Sequence, residues 1–428
     1  MGVQTTDGLT KKDFAAKDLA AAAWSVPLDE IDVSDPNLYQ QDCWHPYFAR
    51  LRQEDPVHLT ENGMYGTYWS VTRYRDILQV DTNHQVFSSD AMMGGIAIRD
   101  VAMNDRRPSF ISMDPPKHDG QRKIVSPIVA PMNLAKLAGT IRERVIRILD
   151  NLPRNETFDW VERVSVELTT QMLATLFDFP FAERHKLTYW SNVATANTRA
   201  GTEIDSEAKR DAVLQQAVVY FRELWEQRAK EPPRSDLISM LAHGEATRDL
   251  PSRPHEFLGT LLLLIVGGND TTRNSISGGL LALSQNPAQF RKLRENPGLI
   301  ASLVPEIIRY QSPVIHMRRT ALADTELGGK RIAKGDKVVM WYISGNRDSD
   351  AIERADDFII DRPRARQHLS FGFGIHRCVG NRLAEMQLAI LWEELLKRID
   401  CIDVVGEPKR LYSNLFRGIT ALPVRITS

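Results

Sequence analysis

Cysteine is scarce in this sequence. The chain of 428 residues contains three, Cys43, Cys378 and Cys401. An odd and sparse set does not make a disulfide framework of the kind that holds small secreted domains together. We therefore expect the protein to work in a reducing compartment, where each cysteine is free for packing or for chemistry.

The chain also lacks an excess of charge and a long apolar run. Its formal net charge is −1, whereas a nucleic-acid partner normally requires a basic excess. The most apolar run, residues 258–266, is far shorter than the ~20 residues that span a bilayer. Near the start, Lys11, Lys12 and Lys17 interrupt any stretch that could form the apolar part of a signal peptide. We expect a cytoplasmic protein that binds no nucleic acid and has no stable membrane insertion.

What the sequence does contain is strong helical periodicity. Apolar residues recur at three- and four-residue spacing in residues 134–149 and again in residues 161–176. A further long helix is predicted between Pro254 and Asn286, because proline suits the first turn and the Asn-Pro pair ends the pattern. Helices are therefore expected to dominate the fold.

Strand-like runs are short. Residues 56–59 and 67–71, separated by a glycine-containing turn, predict a hairpin, and residues 337–342 predict a further strand. The predicted fold class is mainly α with a minor β region. We expect a partly flexible N-terminal arm over residues 1–44, followed by one large domain over residues 45–428.

The run FGFGIHRCVG, residues 371–380, places Cys378 directly before a helical pattern over residues 383–395. There the helix amides and dipole can stabilise a thiolate, and the glycines let the backbone approach a flat cofactor closely. An isolated cysteine in such a turn is more often a small buried core residue. The ten-residue pattern favours the functional interpretation.

Inside the long predicted helix, the run GGNDTT places Asp270 and Thr271 after Gly267 and Gly268, in an otherwise apolar segment. In the structural interpretation, Thr271 bonds back to the preceding turn and Asp270 is solvated. In the functional interpretation, the glycines permit a local helix distortion and the acid and alcohol move protons.

Two pairs of residues share helix faces. Glu306 and Arg309 lie three apart, a spacing that also suits an ordinary surface ion pair. His118 and Arg122 lie four apart after two prolines, and could equally form a solvated basic stripe.

These motifs together resemble the cytochrome P-450 superfamily. The cysteine run matches every fixed position of its pattern F-G-x-G-x-H-x-C-x-G, and the long helix resembles its G-G-x-D-T signature. Glu306 and Arg309 match its E-x-x-R motif, whose pair is buried behind the haem. The resemblance implies a single large helical domain with small sheets, and haem b between the long central helix and the Cys-loop helix.

The resemblance also implies roles. Cys378 would be the axial thiolate of the haem iron, a ligand type that promotes O–O cleavage. Thr271 would hydrogen-bond dioxygen and Asp270 would relay protons. The basic partner that the family adds to the Glu-Arg pair is missing, because Asp357 stands in its place, and Arg362 is the nearest substitute. The residues implied to contact the haem or its propionates are His118, Arg122, Arg319, Phe371, Gly372, His376 and Gly380.

Residues 110–116, 261–274, 314–319 and 367–387 further resemble the bacterial cytochrome P-450 alkane hydroxylases, which oxidise terminal methyl groups of medium-chain alkanes and fatty acids. Terminal attack needs a narrow pocket that presents the chain end-on, because primary C–H bonds are stronger than secondary ones. Residues 88–110 are our candidate for the lid and entrance. The expected substrate contacts are Ile96, Ile98, Leu264, Gly267, Gly268, Val314, Leu415 and Phe416.

Electrons are expected from outside, because the sequence has neither a cysteine cluster for an iron–sulfur centre nor a G-x-G-x-x-G nucleotide motif. We expect NAD(P)H to supply them through a ferredoxin reductase and a [2Fe-2S] ferredoxin. Arg377, Arg382 and Lys123 are the predicted docking face for this acidic partner.

Three other interpretations stay open. The enzyme could hydroxylate terpenes or other compact apolar molecules. It could be driven by peroxide, although such relatives generally replace the acid–alcohol pair. A non-catalytic haem sensor would need the cysteine loop but not Asp270 and Thr271.

Overall fold

The computed structural model describes residues 21–198 and 202–427. Helices dominate it, which confirms the predicted fold class. The α-helices are α1 Pro36–Gln40, α2 His45–Glu54, α3 Tyr74–Thr82, α4 Lys117–Val125, α5 Pro131–Asp150, α6 Glu167–Phe177, α7 His185–Thr195, α8 Glu207–Lys230, α9 Leu237–His243, α10 Pro254–Gln285, α11 Pro287–Glu295, α12 Ile300–Gln311, α13 Tyr342–Gly345 and α14 Asn381–Arg398.

The strands are short and form small sheets. They are β1 Val57–Gly63, β2 Gly66–Val71, β3 Phe87–Ser88, β4 Thr157–Asp159, β5 His316–Ala321, β6 Thr325–Leu327, β7 Lys330–Ile332, β8 Lys337–Trp341, β9 Cys401–Val404, β10 Lys409–Arg410, β11 Ile419–Ala421 and β12 Pro423–Thr427. The predicted hairpin is β1–β2, which pairs Val57 with Val71.

The largest sheet has five strands in the order β1-β2-β8-β5-β3. Strand β8 is parallel to β2 and antiparallel to β5, so it runs through the middle of the sheet and is buried along its length. A three-stranded sheet has the order β4-β12-β9, and β6–β7 and β10–β11 are separate pairs.

Helix α10 is the long central helix. Pro254 occupies its first turn and Pro287 opens the next helix, so its ends lie where the sequence predicted them. It packs against α6, α7, α12 and α14, and most of its residues are buried. A helix that is apolar around much of its circumference is stable only inside such a layer of other helices.

The helical pattern of residues 161–176 is divided between two kinds of helix. Residues Val161–Val166 form a π-helix and α6 follows directly. Apolar spacing does not distinguish these forms, because both bury the same face.

The described segment before residue 45 already packs into the protein at Ala23, which is fully buried and whose carbonyl accepts from Arg50. Ile31, Val33 and Tyr39 are buried and share an apolar cluster with Trp341 of β8. Packing therefore continues through the predicted boundary at residue 44, and the first twenty residues of the predicted arm lie outside the described residues.

Within the described part of the chain, no single helix is long and apolar enough to cross a membrane. Two consecutive helical segments, Lys117–Val129 and Pro131–Asp150, reach that length and apolar composition only when taken together, and they are bent by 48° relative to each other.

Candidate active site

The cysteine loop is held in a fixed shape before α14. The amide of Cys378 donates to the carbonyl of Phe371 over 2.8 Å, which closes the loop. Gly374 has a φ of 64°, and a Cβ there would lie 2.5 Å from the carbonyl oxygen of Asp81. Only glycine suits this position, since it combines a left-handed backbone with close backbone contact.

The thiol of Cys378 faces opposing electrostatic influences. Burial raises its pKa, while the amide of Gly380 and the guanidinium groups of Arg122 and Arg377 act to lower it. The side chain has accessible surface because it lines cavities, although protein surrounds it. The helix-terminal amides and nearby cations are the groups expected around a cysteine that works as a thiolate.

A cavity of about 540 Å³ connects the cysteine loop with α10. Its lining is mostly apolar, as in other small-molecule sites. All eight residues predicted to contact substrate line it, together with Thr271 and Cys378. The predicted haem contacts in the lining are Arg122, Arg319, Phe371, Gly372, His376 and Gly380.

Two histidines form a buried polar cluster near this cavity. The rings of His118 and His376 meet edge to face with centroids 4.6 Å apart. Each has one satisfied nitrogen: His376 Nε2 lies 2.7 Å from the Ser89 hydroxyl, and His118 Nδ1 lies 2.8 Å from Asp119. His376 Nδ1 and His118 Nε2 are buried without a partner. Burial, followed by Arg319 and His118, lowers the pKa of His376 to about 2. Orphaned buried nitrogens of this kind indicate a missing polar ligand.

Arg319 is held by a carboxylate that the sequence analysis did not identify. Its Nη2 lies 2.8 Å from Asp81 Oδ1, and both side chains are buried. Asp81 Oδ2 also accepts from the Tyr342 hydroxyl at 3.1 Å and from the amide of Phe373 at 2.7 Å. Asp81 lies four residues after Ile77, on the buried face of α3. A carboxylate among the apolar residues of this face is the feature of the sequence that could have identified it as a buried partner. Burial raises the pKa of Asp81, opposed by Arg319.

The two glycines of α10 have different surroundings. A Cβ at Gly267 would meet nothing within 4 Å, because this position faces the cavity. A Cβ at Gly268 would lie 2.9 Å from the side chain of Leu173 on α6. The helix is continuous through both glycines. The hydroxyl of Thr271 donates to the Gly267 carbonyl over 2.8 Å, the back-bond that helical threonines form readily.

Asp270 is buried beside the cavity and does not line it. Its Oδ1 lies 2.8 Å from Arg273 and accepts from Ser191 at 3.2 Å. Its Oδ2 lies 3.4 Å from the hydroxyl of Thr195, which does line the cavity. Burial raises the pKa of Asp270, and Arg273 opposes that shift. The sequence did not predict Ser191 and Thr195 as partners of Asp270. Their four-residue spacing shows that they share one face of α7, but it does not show which helix that face contacts.

Glu306 and Arg309 form a fully buried pair on α12. Arg309 binds both carboxylate oxygens, with Nε to Oε2 at 2.7 Å and Nη2 to Oε1 at 2.8 Å. Arg362 completes the group, with its Nε 3.0 Å from Glu306 Oε2. The substitute named from the sequence therefore occupies the position of the third partner, and Asp357 contributes its backbone carbonyl to both arginines.

Part of the candidate entrance segment, residues 88–110, is hydrogen-bonded to the five-stranded sheet. The amide of Ile98 donates to His316 Nε2 at 3.2 Å, and its carbonyl accepts from Lys337 at 3.1 Å. Asp100 pairs with Lys337 and Arg318. Residues 96–100 thus form a fixed wall, while Met103 further along is exposed.

A second depression lies on the other side of the cysteine loop. Arg377 and Arg382 line it together with Cys378, and both arginines are exposed. Lys123 is exposed on α4, next to Arg122, which also lines this depression. All three residues of the predicted docking face are therefore exposed, and two of them, Arg377 and Arg382, line the depression that contains the thiol.

Comparison with known proteins assigns the family. A family model described as Cytochrome P450 matches residues 155–419. The chain therefore belongs to the cytochrome P450 family, and this confirms the resemblance found in the sequence. As a member it is a cytochrome P450 monooxygenase, and the family implies a haem iron and electrons derived from NAD(P)H.

Three known proteins are similar to this chain over more than nine tenths of its length. Linalool 8-monooxygenase of Pseudomonas putida is 37% identical over 93% of this chain and 99% of its own length. Methyl-branched lipid omega-hydroxylase of Mycobacterium tuberculosis is 31% identical over 95% of this chain and 98% of its own. The solved structure of Cytochrome P450-153 from Novosphingobium aromaticivorans is 45% identical, with a TM-score of 0.86 over 92% of this chain and 99% of that one.

The residues present fit the implied cofactor. A thiol faces the cavity, and two orphaned imidazole nitrogens lie beside Arg319 and Arg122. This set suits a flat iron complex with anionic side groups, because arginine and imidazole N–H groups form charge-assisted bonds to carboxylates.

Proposed function

We propose that this protein hydroxylates the terminal methyl group of medium-chain alkanes or fatty acids. The observation that carries the proposal is the cavity, which brings Cys378 and Thr271 together behind apolar walls. Val314 and Phe416 pair as an isolated β-bridge, so two of these walls are fixed to each other. Similarity to a methyl-branched lipid omega-hydroxylase supports oxidation at the end of an apolar chain.

In this proposal Cys378 would hold the haem iron through its sulfur, and His118, His376, Arg122 and Arg319 would bind the propionates. Bound haem supplies dioxygen activation and the insertion of one oxygen atom into a C–H bond. Asp81 keeps Arg319 oriented, since the two side chains form a buried ion pair.

Protons reach the cavity through hydroxyl and carboxyl groups. Thr271 lines the cavity with its hydroxyl bonded to the Gly267 carbonyl, and Asp270 is joined to the cavity lining through Thr195. Burial raises the pKa of Asp270, which suits a group that must both hold and release a proton. Arg273 and Ser191 hold its carboxyl in place between transfers.

Replacement of Thr271 by alanine is expected to uncouple electron use from product formation, because the hydroxyl that positions the proton is lost. The measurement is alcohol formed per NADH consumed. Ser275→Ala is the matched control, since Ser275 also lines the cavity and bonds back to the helix, with its hydroxyl 2.9 Å from the Thr271 carbonyl. Unchanged coupling in Thr271→Ala, or equal losses in both variants, would contradict the proposed role.

The substrate end that reacts is tested by product analysis. The protein is incubated with n-octane, dioxygen, NADH and a surrogate ferredoxin system, and the alcohols are separated by chromatography. A cavity that presents the chain end-on predicts 1-octanol as the main product. Mainly internal alcohols, or no product despite good reduction, would reject terminal hydroxylation.

A second candidate, hydroxylation of a terpene or another compact apolar molecule, is favoured by the 37% identity to Linalool 8-monooxygenase. Competition distinguishes the two. Linalool and n-octane are supplied together at equal concentration, and the preferred substrate is the one whose product dominates.

We also propose that the surface formed by Arg377, Arg382 and Lys123 binds a [2Fe-2S] ferredoxin. Opposite charges accelerate such encounters and the effect weakens with salt. Arg377→Glu is expected to slow reduction by an acidic ferredoxin roughly tenfold at low salt. Stopped-flow reduction measures this, and Arg147→Glu on α5 controls for the same charge change away from the depression. Equal rates for Arg377→Glu and wild type would exclude this surface.

A further inference from the structure

Charge is unevenly distributed in the cavity lining. Among the described residues that line it are four arginines, Arg99, Arg122, Arg210 and Arg319, and one carboxylate, Asp81. Asp81 is paired with Arg319. Arg122 and Arg319 lie close to His376 and belong to the proposed haem site. Arg99 and Arg210 have no role in that site.

Arg210 is almost completely removed from solvent. The residue is 8% exposed, and its Nε is buried without a hydrogen-bond partner. Its Nη1 lies 2.6 Å from Glu207, and Nη2 donates to the carbonyl of Ala196. A buried guanidinium with an open N–H is costly unless another acceptor completes it.

One carboxylate serves two guanidinium groups here. Glu207 binds Arg210 and also lies 3.0 Å from Arg99. A second ion pair beside it, Arg107 with Asp211, is balanced. Burial lowers the pKa of Arg210, Glu207 opposes that shift, and the nearby charges of Arg99 and Arg107 add to it. The cluster thus keeps a surplus positive charge where the cavity is lined by Arg99 and Arg210.

The position of this surplus charge is the mouth of the cavity. The Arg99 side chain is about half exposed, at 48%, although it lines the same cavity as Cys378. Asn197, a further hydrogen-bonding side chain, also belongs to the lining. The lining between these polar residues and the thiol is mostly apolar.

We propose that Arg210 and Arg99 form a carboxylate subsite that binds the acid group of a fatty acid whose methyl end lies near Thr271 and Cys378. The inference rests on the proposed terminal hydroxylation and narrows its substrate class from apolar chains in general to chains with an acid group. Arg210 and Arg99 both line the cavity, and arginine pairs with carboxylates in a charge-assisted, often bidentate geometry.

The test compares two ligands that differ only in charge, dodecanoate and methyl dodecanoate, by calorimetric titration of the holoenzyme. Arg210→Gln is expected to weaken dodecanoate binding about ten- to hundredfold and to change ester binding less than about twofold. Arg99→Gln is the second variant, with a smaller loss because its side chain is half exposed.

Two further variants separate direct binding from a general effect of charge or structure. Arg107→Gln removes one positive charge from the same cluster and leaves Asp211 unpaired, but Arg107 does not line the cavity, so dodecanoate binding should weaken far less than in Arg210→Gln. Glu207→Gln removes the competing carboxylate and is expected to tighten dodecanoate binding.

The outcomes are distinct. Equal dodecanoate affinity in wild type, Arg210→Gln and Arg99→Gln overturns the subsite, and so does an equal loss for acid and ester. A loss of dodecanoate binding in Arg107→Gln as large as in Arg210→Gln would assign the effect to overall charge and also overturn the subsite. If octane is oxidised at its terminal methyl group but the arginine variants bind dodecanoate as the wild type does, only the subsite is rejected. Internal hydroxylation together with the predicted binding losses would reject terminal oxidation alone.

Discussion

Replacement of Glu306 by glutamine is expected to lower the free energy of unfolding by about 3–5 kcal/mol, because it leaves Arg309 and Arg362 buried without an anion. Both oxygens of Glu306 are fully used. They accept from Arg309 twice, from Arg362, and from the amide of Ile359 at 2.8 Å. Glutamine keeps the shape but supplies one acceptor oxygen and no charge.

The measurement is urea-induced unfolding followed by circular dichroism. Glu143→Gln is the matched control, since Glu143 also pairs with an arginine of its own helix, Arg147, but both side chains are 67% exposed. An exposed pair contributes at most about 1 kcal/mol. Similar losses of unfolding free energy in the two variants would contradict the prediction that burial makes the Glu306 carboxylate more important for stability than an exposed one.

Replacement of Cys378 by alanine is expected to reduce alcohol formation to background, because no other described cysteine lines the cavity. The absorption spectrum typical of thiolate-ligated haem should be lost as well, and this readout is independent of turnover. The fold should persist, because the change removes one sulfur atom from a cavity wall and leaves the loop bond from residue 378 to the Phe371 carbonyl intact.

Cys401→Ala provides the control. Cys401 is exposed on β9, outside the cavity lining, so activity and spectrum should match the wild type. A Cys378→Ala protein that kept the thiolate spectrum would mean that another residue holds the iron.

The family and the centre of the site could be predicted from sequence because their signals are local. The glycines, His376 and Cys378 occupy one ten-residue run, and a left-handed backbone at Gly374 is a property of that run itself. Asp270 and Thr271 are neighbours, and Glu306 and Arg309 are one turn apart. Helix limits such as Pro254 followed from residue preferences at helix ends.

Long-range partners could not be predicted in the same way. Asp81 meets Arg319 across 238 positions of the chain, and Thr195 meets Asp270 across 75. The effect of Gly267 and Gly268 on the helix depends on what lies next to each glycine. Gly267 faces the open cavity, whereas Gly268 packs against Leu173. The entrance segment was expected to be a lid, yet His316 and Lys337 fasten part of it to the sheet.

The sequence by itself therefore determined the helical fold class, the cysteine loop, the acid–alcohol pair and the family. Short-range preferences are sufficient for these features, since each is encoded within a few turns of chain. Only the tertiary structure decided which carboxylate orients Arg319, which hydroxyl joins Asp270 to the cavity, and that Arg99 and Arg210 line the same cavity as the thiol. These facts depend on how distant segments pack, because burial and shared ion pairs arise only when the elements come together.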